Sequence, residues 1–178
     1  MLTLFPAERQ KILKFILDNP AAKIGVRKLA RELRISPAHV SRTLKILAKQ
    51  KLFKNKKLDM DSARIRILKT FFNIEKLHRE KIPEKLKDLA PLGAGIYGSW
   101  ANGTNYEDSD VDIWIKVDKH PEELKIATIS TELRKKLGKN VQILVLTPER
   151  IKRLKKEDPI FYYSLVFGSI KIYGETIE

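Results

Sequence analysis

GIYGSWANGTNYEDSDVDIWIKV, residues 95–117, decides how the rest of the chain is read. Residues 95–97 form a short strand that runs into a Gly98-Ser99 turn, and residues 111–117 alternate apolar and polar side chains at the strand period. Asp110 and Asp112 stand two apart on that second strand, so their carboxylates project from one face. Two like charges held so close repel, and nothing in a plain sheet offsets the cost. A divalent cation would. Magnesium favours carboxylate oxygens together with substrate phosphates. Glycine in the turn lets the backbone approach a ligand, and amides opening a helical turn attract anions. Asp-x-Asp with Gly-Ser therefore describes a site for a metal and a triphosphate.

An apolar residue, Gly-Ser, ten residues and Asp-x-Asp between apolar positions occur here as Tyr97, Gly98-Ser99, Trp100 to Ser109, and Asp110-Val111-Asp112-Ile113. On these residues the chain resembles the nucleotidyltransferase superfamily that includes DNA polymerase β, most closely its minimal nucleotidyltransferase branch. The resemblance implies Asp110 and Asp112 as catalytic metal ligands for one or two Mg2+ ions, and Gly98 and Ser99 as the cradle for an NTP, ATP foremost. It implies transfer of NMP, commonly AMP, to an acceptor whose class stays open between protein, nucleic acid and small molecule. Minimal relatives include antitoxins that adenylylate a partner toxin. The chain departs from the family pattern twice. The third carboxylate falls at Gln142, with Glu149 as a possible substitute, and Asn102 stands where relatives often carry Arg or Lys.

At 178 residues, 33% charged and 43% hydrophobic, the sequence fits one medium or two small folded domains. Cysteine is absent, so disulfides and thiolate metal sites are excluded. No apolar run of about 18 residues and no basic–apolar leader occur, which predicts neither a membrane span nor a secretory signal and suits the cytoplasm. The formal charge of +14 is one-sided: residues 1–90 hold 23 Lys and Arg against 9 Asp and Glu, and residues 91–178 hold 13 of each. Such asymmetry predicts a polyanion-docking surface on the first half alone.

That half reads as helices over residues 6–18, 26–33 and 36–49, the last opened by Ser36 as cap and Pro37 at the first position. Val26 to Leu47 resembles a helix-turn-helix, with the third helix as recognition helix. His39, Ser41 and Arg42 would reach base edges, and Lys45 and Lys49 phosphates. Residues 52–61, with Lys54, Lys56 and Lys57, read as the basic wing of a winged helix. DNA is the expected partner. Residues 63–80 form a connecting helix with Ile67, Phe71 and Ile74 on one stripe, through which a homodimer is plausible, and residues 83–89 a short helix.

Beyond the acidic strand, residues 121–137 read as a helix with Leu124, Ala127, Ile129 and Leu133 inside, and residues 140–146 as a third buried strand. Helices follow over 148–157, strongly basic, and 159–167, whose aromatics Phe161, Tyr162 and Tyr163 read as core. Ile170 to Tyr173 make an edge strand. The expected fold class is α+β: an all-α winged-helix domain (1–62), connecting helices (63–90) and a small mixed-sheet nucleotidyltransferase domain (91–178). Two functions follow from this reading. One is a magnesium-dependent nucleotidyltransferase with a DNA-binding winged helix. The other is a DNA-binding regulator whose impaired nucleotidyltransferase domain senses NTP.

Overall fold

A computed structural model describes residues 6–20, 22, 24–54 and 57–178 of the chain. It divides into two compact units, Met1–Phe72 and Asn73–Glu178.

The first unit holds α1 (Ala7–Asp18), α2 (Val26–Leu33), α3 (Pro37–Lys49) and a hairpin of β1 (Phe53–Lys54) and β2 (Lys57–Leu58). It is therefore not purely helical. Its core joins Ile12, Ile16 and Leu17 of α1 to Leu29, Val40 and Leu47, with Ile65 and Phe72 from α4 (Ala63–Arg79). Arg34 turns the chain out of α2 in the left-handed region, at φ 55°, and its amide donates to the Ala30 carbonyl. Ser36 then accepts from the His39 amide at 3.2 Å, with Pro37 just inside α3. Ser36→Ala removes that cap and is expected to lower the unit's stability by about 1 kcal/mol, whereas Ser36→Asp keeps it. Urea unfolding of both variants checks this.

The buried stripe of α4 is not the expected one. Ile67 is 70% exposed, while Ile65, Lys69 and Phe72 face inward. Lys69 is only 2% exposed, and its ammonium donates to the Leu17 carbonyl at 2.9 Å, at the end of α1. A charge-assisted bond to a helix-terminal carbonyl lets lysine occupy a core position. An apolar-periodicity reading passes over such a residue.

In the second unit, α5 (Ile82–Leu86) and a 3-10 turn (Lys87–Leu89) lead into β3 (Gly93–Tyr97), α6 (Gly98–Asn102), β4 (Val111–Lys116), α7 (Glu123–Leu137), β5 (Val141–Leu146), α8 (Pro148–Glu157), α9 (Pro159–Gly168) and β6 (Ile170–Gly174). The sheet order is β5-β4-β3-β6. β3 pairs antiparallel with β4 and β6, and β4 parallel with β5 across the α7 crossover. The fold is thus a mixed α+β arrangement with a small mixed sheet. One face packs Ala94, Ile96, Ile113 and Ile115 against Leu86, Ile129 and Leu133. The other packs Trp114 and Leu146 against Tyr162 and Leu165 of α9.

Gly95 lets β3 sit between its neighbours. A Cβ there would lie 2.4 Å from the Ile170 carbonyl oxygen and 2.6 Å from the Trp114 ring. β5 buries Val141, Val145 and Leu146 but lies at the sheet edge, with Gln142 on it exposed. Two expectations change in this unit. α7 buries Ile129, Leu133 and Leu137, while Leu124 is 78% exposed because it sits off that stripe. Of the α9 aromatics expected in the core, only Tyr162 is buried, while Phe161 is half-buried and Tyr163 is exposed. Among the described residues no helix is long and apolar enough to cross a membrane.

Candidate active site

β4 sets the position of both aspartates. Asp112 lies opposite Tyr97 in the ladder to β3 and beside Gln142 in the ladder to β5. Asp110 precedes the strand by one residue and shares the face of Asp112. Trp114, next on that face, is buried beneath α9, so the two half-buried carboxylates stand where the helical cover ends.

The bend before α6 meets them. Tyr97 is extended, and Gly98 enters α6 at φ +64°. A Cβ on Gly98 would stand 2.7 Å from Asp112 Oδ2, so the backbone itself lies against the carboxylate. Tyr97 makes no side-chain cap bond to α6, and first-turn amides are the groups through which a helix opening can meet an anion.

Burial first, and then the Asp110 charge, hold the Asp112 carboxyl above its ordinary range. Among the described residues neither aspartate forms an ion pair. The Tyr97 hydroxyl is likewise raised, by burial and then by Asp112, with Arg150 opposing. Its ring meets Phe161 edge-on at 6.4 Å between centroids, which ties α9 to the site.

Gln142 donates its amide to Asp110 Oδ2 at 2.8 Å. An ionised carboxylate only accepts, so Nε2 is the atom that faces it. Sequence reading found this position but not the bond. It missed a second support altogether. Asn73, 5% exposed, donates to the Trp100 carbonyl and to Asn105 Oδ1, each at 2.9 Å. That pair fastens α6 and the start of the loop leading to Asp110. Its only sequence signal was an asparagine at a core position of α4.

Two carboxylates on one face, of which Asp112 is destabilised by burial and by its neighbour, present the hard oxygens that suit a magnesium ion. Among the described residues no group of three or more His, Cys, Asp and Glu could hold a metal. Glu149 does not complete the set. It opens α8 beyond Leu146, and Leu146 pairs with Lys116, at the opposite end of β4 from Asp112. There it joins a groove lined by Asp118, His120, Thr147, Arg150 and Arg153.

The residues expected to touch DNA fall on α3 and the hairpin. Arg42, Lys45 and Lys49 are exposed on α3 and Lys57 on β2, and Ser41 is half-buried. His39 is turned to Glu8 of α1, with Nδ1 3.1 Å from its carboxylate. Lys56 and the side chain of Lys54 lie outside the described residues.

A family model described as a nucleotidyltransferase domain matches residues 76–166, about half of the chain, and spans Gly98, Ser99, Asp110, Asp112 and Gln142. A protein of Methanocaldococcus jannaschii, named as a candidate protein adenylyltransferase, is 35% identical over 72 residues, which cover 40% of this chain and 76% of the relative. Two solved structures are more distant. A toxin–antitoxin crystallised with AMP-PNP is 20% identical with a TM-score of 0.43, over 53% of this chain and 72% of that one. A tri-AMPylated Shewanella oneidensis HEPN toxin in complex with MNT antitoxin is 16% identical with a TM-score of 0.40, over 60% and 73%.

Proposed function

The chain belongs to the nucleotidyltransferase domain family, and from that premise we propose that it transfers the NMP of a magnesium–NTP, AMP from ATP foremost, to an acceptor hydroxyl on a protein. The observation that carries this reading is the pair of like-charged, half-buried carboxylates beside the Gly98 bend. The relative named as a candidate protein adenylyltransferase supports AMP and a protein acceptor.

Asp110 and Asp112 would hold the magnesium ion, and the amides of Gly98 and Ser99 would receive the β and γ phosphates. When bound, the ion supplies charge neutralisation and alignment for in-line displacement. The acceptor oxygen bonds to the α-phosphorus as the bond to the bridging oxygen breaks, and pyrophosphate leaves. Gln142 accepts no proton at neutral pH, so the acceptor's proton passes to water or to an aspartate oxygen. Incubation with α-phosphate-labelled Mg-NTPs and candidate acceptor proteins tests the reading. Covalent label on the acceptor is expected; tight NTP binding without transfer would favour a second reading, a DNA-binding regulator that senses NTP. Gln142 in place of a third carboxylate is the observation favouring that alternative.

The first unit, on either reading, is proposed as a winged helix that docks DNA through α3 and the hairpin. The exposed Arg42, Lys45, Lys49 and Lys57 support this. DNA affinity is expected to fall by about 10³-fold or more between 50 and 200 mM salt if about six phosphates are contacted. Arg42→Ala is expected to cost about 1–3 kcal/mol. Fluorescence anisotropy on duplex DNA measures both, and binding indifferent to salt would refute the docking surface.

A further inference from the structure

We propose that Gln142 is a positioning residue that locks Asp110 and restricts the nucleotide-free site to one divalent cation; this rests on the nucleotidyltransferase reading above. Gln142 is aligned with Asp112 in the parallel ladder and donates to Asp110 Oδ2 at 2.8 Å. It thus touches one aspartate from the strand position beside the other. The bond occupies one lone pair of Oδ2 and fixes the carboxylate's rotation without adding charge.

The same bond decides what Gln142 can offer a cation. With Nε2 turned to Asp110, Oε1 points away from it. Turning the amide over would set Oε1 against a carboxylate oxygen, two acceptors face to face. Paired metal sites hold their ions about 3.5–4 Å apart and draw on several shared oxygens. Here the described residues supply two carboxylates and no third acid. Their charge of about −2 matches one divalent ion. The cation that Asp110 and Asp112 share is then the one that a triphosphate must meet.

Gln142 is exposed on an edge strand, so substitutions there leave the core untouched. The test is a Mn2+ titration of the full chain without nucleotide, read by electron paramagnetic resonance and calorimetry. Wild type is expected to bind one Mn2+ with an isolated-ion spectrum. Gln142→Glu is expected to bind two, with the spectrum of a spin-coupled pair. Gln142→Ala is expected to bind one, about tenfold more weakly, as loss of a ligand-orienting partner does. A coupled pair in wild type, or titrations unchanged by both substitutions, would overturn the proposal while Asp110-dependent binding kept the site itself. Loss of that dependence, with Asp110→Asn binding Mn2+ like wild type or wild type binding none, would remove the site and the functional reading with it.

Discussion

Asp110→Asn and Asp112→Asn are each expected to reduce nucleotide transfer by about 10³-fold, equal to about 4 kcal/mol of transition-state stabilisation. Both keep the size of the side chain and remove a charge from the pair that would hold the cation. For Asp112→Asn a second result is expected: the metal-free protein becomes more stable at pH 7. Its carboxyl is raised, first by burial and then by Asp110, so the folded chain binds that proton more tightly than the unfolded chain does. Stability is therefore lost as pH rises from the ordinary carboxylate range through the raised value, and the loss persists at neutral pH. Asparagine carries no such charge, so the gain should fade as pH falls below the ordinary range. Magnesium should raise the wild-type unfolding temperature and leave both variants unmoved. Single-turnover transfer and thermal unfolding, with and without magnesium, measure both effects. A less stable metal-free Asp112→Asn protein that still transfers would contradict the assignment.

A site that costs the bare fold stability is also one that sequence can announce. Two aspartates at strand spacing behind a Gly-Ser bend make little sense as structure alone, so their placement together beside that bend was legible before any coordinates. Helix ends were legible for a similar reason: Ser36-Pro37 states a cap locally, and the cap bond forms. What stayed hidden depends on partners distant in sequence. Lys69 sits in the core with its ammonium on the distant Leu17 carbonyl, and Asn73 joins α6 to the following loop through the Trp100 carbonyl and Asn105. Gln142 could be placed beside the aspartates from its strand. That its amide takes hold of Asp110, and that Glu149 is carried to the far end of β4, follow from the parallel register, which periodicity does not encode.

Gly98→Ala is expected to reduce transfer by about 10²-fold, through a side chain that touches no substrate. Two costs fall on it. At φ +64° an L-residue is strained by about 1–2 kcal/mol, and its Cβ would lie 2.7 Å from Asp112 Oδ2. Backbone held by β3 and α6 yields less readily than a side-chain tip, so the carboxylate moves. A displacement of about 1 Å in a positioning group suffices for the rate loss. Gly138→Ala separates the two costs. Gly138 has φ +66° with nothing within 4 Å of its Cβ position, so it carries the strain without the collision. Both variants should unfold more easily by about 1–2 kcal/mol. Trp100 and Trp114, the two tryptophans of the chain, report that transition by fluorescence from within the same unit. Gly98→Ala alone should lose transfer and Mn2+ affinity. Equal activity in the two would mean that the bend only turns the chain; unequal activity at equal stability makes its backbone one wall of the metal site.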